Sequence, residues 1–151
     1  MHAAIAPEQT QSPIGDAMFE SVFDHSLDFR ITMDHEAACQ FLRRIDRYND
    51  FQAESVIDAL ERIDRLIPRS RYGDGNPNTG KRRYSLSVGR EGSPVLYLEF
   101  YEWNSNEQLS DETLQIICRK MELTGRADEA DYEAHPTGFG GRKVTFRFWW
   151  D

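Results

Sequence analysis

The stretch Val95–Trp103, VLYLEFYEW, alternates more densely than any other part of the chain. Leu96, Leu98 and Phe100 fall on one side; Val95, Tyr97, Glu99, Tyr101 and Trp103 fall on the other. A period of two is that of a strand, whose successive side chains point to opposite faces. The aliphatic side suits a core. The opposite side, with polar-edged aromatics and one carboxylate, suits water or a partner. A strand this apolar on both sides belongs inside a sheet, because an exposed edge of this kind invites aggregation.

The same alternation recurs. In Ser26–Met33, Leu27, Phe29, Ile31 and Met33 point one way and Asp28, Arg30 and Thr32 the other. Tyr84, Leu86 and Val88 predict a strand that turns through 89–94 into the central one. Asp131–His135 is a weaker strand, and Lys143–Trp150 a final one with Val144, Phe146, Phe148 and Trp150 on one side.

Between the strands the spacing changes to three and four, the period of a helix with one buried stripe. Asp34 caps a helix carrying Ala37, Ala38, Phe41, Leu42 and Ile45 to about Tyr48. Asn49 or Asp50 interrupts it, with Asn49 and Gln52 at capping-box spacing. Val56, Ile57, Leu60, Ile63 and Ile67 form a second stripe, stopped by Pro68. Ser110 caps a third helix burying Leu114, Ile117, Cys118 and Met121, with Asp111 and Glu112 favourable at its N-terminus and Gly125 as its stop. Asp16–Asp24 predicts a short helix, with Met18 and Val22, then Phe19 and Phe23, four residues apart.

The order strand-helix-helix-strand-strand-helix-strand-strand predicts an α+β fold. An antiparallel sheet of about five strands would carry its helices on one face. A ferredoxin-like variant, with the first and third strands central, is the nearest standard arrangement. A length of 151 residues supports one domain over 16–151. Residues 1–15, with Pro7, Pro13 and a polar run, read as a mobile tail.

Charge adds one asymmetry. Between Arg65 and Arg90, seven basic residues face Asp74 alone, an excess of +6 within a chain of net charge −8, so the remainder carries −14. The acidity argues against polyanion binding over the whole surface. The basic segment is either a lip for an anionic ligand, built from Arg69, Arg71, Lys81, Arg82 and Arg83, or a set of counter-ions for the protein's own acidic helices. Gly75–Lys81 has the G-x-x-x-x-G-K spacing of a phosphate loop, but Arg82 follows where Ser or Thr is needed, and a helix precedes and a strand follows. It reads as an ordinary glycine-rich loop.

Other chemistry is sparse. His35 and Cys39 lie four apart without a third ligand at metal spacing, so no metal or cofactor is expected. His25 with Asp24, and His135 near Asp131 and Glu133, lack a nucleophile or oxyanion turn. Asp46, Asp50, Asp58, Glu61 and Asp64 read as solvated helix faces rather than a calcium loop. No apolar run approaches the roughly 18 residues of a membrane span, and the first residues lack the pattern of a secretory signal. Cys39 and Cys118 read as reduced thiols of a cytoplasmic protein.

The candidate binding residues are therefore the outward aromatics Tyr97, Tyr101 and Trp103, with Trp149, and the basic loop. Aromatics are enriched at protein interface cores, whereas Glu99 among them and the missing basic-Gly-aromatic pattern weigh against base stacking. The expectation is a small, acidic protein, non-enzymatic on balance, that binds another macromolecule as an inhibitor, immunity-type or adaptor protein does. A basic or nucleic-acid-handling protein is the expected partner, with a second copy of the chain as another occupant of the aromatic face. The alternative is a nucleic-acid or phospholigand module using the basic loop, 65–90, and the aromatic face.

Overall fold

The computed structural model describes residues 29–45, 47, 48, 50–69, 82–91, 93–138 and 140–151. The expected tail, the helix expected at 16–24, His25, Leu27, Arg71, Lys81 and the whole Gly75–Lys81 loop lie outside the described residues.

The chain runs β1 (Phe29–Met33), α1 (His35–Arg44), β2 (Arg47–Tyr48), β3 (Phe51–Gln52), α2 (Ala53–Asp64), β4 (Tyr84–Glu91), β5 (Ser93–Glu102), a 3-10 turn (Ser105–Glu107), α3 (Asp111–Leu123), β6 (Glu129–Gly138) and β7 (Gly141–Trp149). The caps read from the sequence form: Asp34 Oδ1 accepts from the Ala37 N–H at 2.7 Å, and Ser110 Oγ accepts from the Thr113 N–H at 3.1 Å.

Helix α1 stops at Arg44, short of the expected Tyr48, because β2 and β3 fold back on each other as a two-residue ribbon. The ribbon seats Phe51 in the core, fully buried and edge-on to Trp150 at 5.2 Å. Tertiary burial of one large ring here overrides local helix propensity. Gln52 occupies the N-cap of α2 without a side-chain cap bond; Asn49, the other half of the expected capping box, lies outside the described residues. After α3 the left-handed residue is Arg126, at φ 62°, and not Gly125. Gly125 is needed for space: a Cβ there would lie 2.3 Å from Met121 Sδ. Its carbonyl accepts the Trp150 indole N–H at 2.8 Å.

The five long strands form one antiparallel sheet in the order β1-β4-β5-β7-β6. The α+β class and the central place of β5 are as expected, but β1 lies on an edge. The split strand-helix-strand order of a ferredoxin-like sheet is therefore not what the chain adopts. The reason is the pair of helices between β1 and β4. One intervening helix returns the chain parallel to the strand it left, whereas two return it antiparallel, so β4 can pair directly with β1.

Helices α1, α2 and α3 cover one face. Leu86, Val88, Leu96, Leu98, Phe100, Val144, Phe146 and Phe148 join helix residues such as Phe41, Leu42, Leu60, Ile63, Leu114 and Met121 in one buried cluster. Among the described residues no helix is long and apolar enough to cross a membrane.

Candidate functional site

The strand registers lay out the face without helices row by row. Asp131, Arg147, Tyr97, Ser87 and Thr32 stand across the sheet in one row, and Glu133, Thr145, Glu99 and Ser85 in the next. His135, Lys143 and Tyr101 form a third. Trp103 lies one step beyond the end of β5, near a rung where Gly138 pairs with Gly141 and no side chain projects. Tyr101, Trp103, Thr137 and Gly138 line a shallow pocket of about 240 Å³ there. Gly141 is obligatory for this close approach, since a Cβ would meet the Glu102 and Trp103 carbonyl oxygens at 2.6 and 2.9 Å.

The four aromatics read from the sequence do not share one environment. Tyr101 and Trp103 are exposed, at 47% and 65%, and stack on each other with centroids 6.4 Å apart and planes 24° from parallel. Tyr97 and Trp149 are partly buried. On the same face Val95, Ser87 and Ser93 are buried, so the open aromatic surface is confined to the Tyr101–Trp103 end.

Cations are interleaved with the rings. The Arg30 guanidinium lies 3.9 Å from the Tyr97 ring centroid, Arg147 5.8 Å from that of Trp149, and Lys143 Nζ 5.9 Å from that of Tyr101. Glu99 sits among them as a counter-ion, 3.2 Å from Lys143 and 4.0 Å from Arg30, and accepts from the Thr145 hydroxyl at 3.1 Å. The face next to β6 is acidic: Glu129, Asp131 and Glu133 are all exposed.

The described arginines of the basic loop donate to acceptors of the protein itself. Asp64, the last residue of α2, accepts from Arg69 at 2.9 Å, Arg82 at 3.2 Å and the Tyr84 hydroxyl at 2.8 Å. Arg83 donates to the Tyr101 carbonyl at 3.3 Å, linking the loop's end to the aromatic end of β5. Burial, and then the bond to Asp64, push the Tyr84 phenol above its usual range. With its O–H donated to Asp64, the Tyr84 oxygen can accept from His35 Nδ1, 3.2 Å away, which favours the Nδ1–H tautomer. Burial lowers the His35 pKa, with Arg82 adding to the effect.

Asp64 is thus not the solvated helix residue its place in an acidic series suggested; its side chain is 14% exposed and holds three donors. His35 faces Tyr84 rather than completing a metal site. Among the described residues no three His, Cys, Asp or Glu side chains converge as metal ligands. Cys39 and Cys118 are separate buried thiols; burial raises both, Cys118 to about 12, which makes them poor nucleophiles. His135 lies 3.4 Å from Glu133, both exposed.

Sequence reasoning missed the buried pair Glu102 and Arg142. Glu102 pairs with the Arg142 guanidinium Nε and accepts from the Leu109 N–H at 2.6 Å, while Arg142 Nη2 donates to the Leu109 carbonyl at 2.6 Å. The signal was present: Glu102 continues the inward series Leu96, Leu98, Phe100, and a carboxylate at such a position requires a partner. This pair anchors the segment after β5 and so fixes where Trp103 emerges.

Comparison with protein-family models, with curated proteins and with solved structures finds no match to this chain.

Proposed function

We propose that this protein works by binding another protein through the Tyr101–Trp103 end of its open sheet face. The observation that carries this reading is the exposure of two large, mutually stacked aromatics beside a pocket, on backbone held by β5, β7 and the Glu102–Arg142 pair. Aromatic residues of this kind on a rigid element are the usual anchors of protein interfaces. An inhibitor, immunity-type or adaptor role is consistent with such an anchor. The acidic strand beside it, and the net charge of −8, favour a basic partner surface over a polyanion. The engagement of Arg69 and Arg82 with Asp64 supports the same choice, since those arginines serve an internal carboxylate.

Affinity capture from native cell extract tests this, with wild-type and Tyr101→Ala/Trp103→Ala baits, each with and without nuclease. A protein retained by the wild type, lost from the double variant and indifferent to nuclease is the expected result. Capture that depends on nucleic acid, or that survives loss of both rings, would refute the reading.

A further inference from the structure

Strand β6 closes one end of the sheet: among the described residues it pairs with β7 and with nothing on its other side. In an antiparallel strand alternate residues direct both N–H and C=O to the same neighbour, so half of the backbone groups of β6 point outward. The strand is ten residues long, with only Ala130 and Tyr132 partly buried. Most edge strands are protected by brevity, a bulge or a covering element. This one has an irregularity only near its end, between Pro136 and Gly138. Along Glu129–His135, among the described residues, its protection is charge.

Glu129, Asp131 and Glu133 occupy successive outer-face positions, about 7 Å apart at strand spacing. Glu129 is 3.2 Å from Arg147 but remains 55% exposed, and Glu133 is 77% exposed. A second copy pairing at this edge would bring the two rows of carboxylates together, which is unfavourable. A strand carrying lysine or arginine at alternate positions meets the same row with favourable cross-strand pairs.

We propose that the open edge of β6 docks an extended segment of a partner protein, adding it to the sheet as a sixth strand with basic side chains over Glu129, Asp131 and Glu133. Backbone hydrogen bonds hold the segment and the carboxylates select it, the division of labour in strand addition generally. The docking edge is Glu129–His135; the Tyr101–Trp103 anchor adjoins its far end, where Thr137 and Gly138 of the same strand line the pocket.

The test uses the full chain and a fluorescent nine-residue peptide of alternating lysine and threonine, read by polarisation. Two further peptides carry N-methyl groups, one on the lysines and one on the threonines. In strand addition, one parity of methylation removes the bonding N–H groups and weakens binding at least tenfold, whereas the other is tolerated. Asp131→Lys/Glu133→Lys should also weaken the parent peptide at least tenfold. Glu54→Lys, at an exposed carboxylate of α2, should leave its affinity unchanged, which separates docking on β6 from general attraction to an acidic protein. Slowed amide exchange within 129–135 on peptide addition is the expected structural signature. Absence of binding, equal binding of all three peptides, or a self-associated form of the protein that occupies β6 would each overturn the proposal.

Discussion

The Glu102–Arg142 pair makes the sharpest stability prediction. Glu102 has no exposed side-chain surface and Arg142 is 15% exposed. Replacing Glu102 with leucine leaves a guanidinium in a mostly dry site and the Leu109 N–H without its acceptor. Breaking a buried pair in this way costs about 3–5 kcal/mol. A domain of this size is stable by only about 5–15 kcal/mol, so the variant should lose at least about a fifth of its margin. With a urea m-value of about 2 kcal/mol/M, the midpoint falls by roughly 2 M. Arg142→Met should be comparably damaging, since it strands the carboxylate. The double variant, Glu102→Leu/Arg142→Met, removes both charges and leaves only the Leu109 N–H and carbonyl without partners, at about 1–3 kcal/mol for an unsatisfied group. Urea titrations of all four proteins should therefore give single losses that together exceed the double loss by about 2 kcal/mol or more, within the range of direct neighbours. Additivity within about 0.5 kcal/mol would show that the two side chains do not act as a unit.

Four further outcomes follow from other contacts. Phe100→Ala, at a ring 1% exposed and stacked on Phe146, should cost about 3–5 kcal/mol in denaturant titration; a loss below about 1 kcal/mol would contradict the register. Gly141→Ala should cost about 1–3 kcal/mol because backbone oxygens must yield to its Cβ, and a wild-type melting temperature would refute the close approach. The His35 pKa is lowered in the fold, so the unfolded chain binds the extra proton first. Stability contributed by neutral His35 is thus present above about pH 6.5 and falls as pH drops through it; His35→Gln should flatten the stability profile between pH 8 and 5. Arg82→Glu, which sets a carboxylate beside Asp64, should lower stability by more than the roughly 0.5 kcal/mol of an ordinary surface change; an unchanged denaturation midpoint would mean that the contact carries no weight.

How much of this was readable from the chain depends on how local the cause is. The strands at Tyr84, Val95 and Lys143 and the caps Asp34 and Ser110 were legible because alternation and capping are short-range patterns. The early end of α1 was not. It depends on Phe51 reaching Trp150, almost one hundred residues away in sequence, and no window over 41–52 contains that ring. Strand order was harder still. The same list of elements fits several topologies, and the choice turns on whether an even or odd number of helices returns the chain to the sheet. The aromatic site was half legible. Alternation put Tyr97, Tyr101, Trp103 and Trp149 on one face, but only the fold separates the exposed Tyr101–Trp103 pair from the partly buried Tyr97 and Trp149.

Charge, the least local signal, was visible as an imbalance but not as a plan. The basic excess in 65–90 invited an external anion, yet Arg69 and Arg82 converge on Asp64, a residue that lies outside that segment by one position. The acidic remainder carries the opposite lesson. On α2, Asp58 pairs with Arg62 and Asp64 with the loop arginines, so these helix carboxylates are largely answered within the fold. On β6, exposed Glu129, Asp131 and Glu133 present a row at strand spacing on an edge that, among the described residues, has no outer partner strand. Under the proposal of strand addition, a row of like charge on such an edge excludes its own copies and admits a basic strand. The two halves of that statement separate experimentally. Reversing Asp131 and Glu133 to lysine exchanges the sign of what the edge admits while leaving its backbone in place. A lysine-alternating peptide should then be rejected, and a glutamate-alternating peptide accepted in its stead.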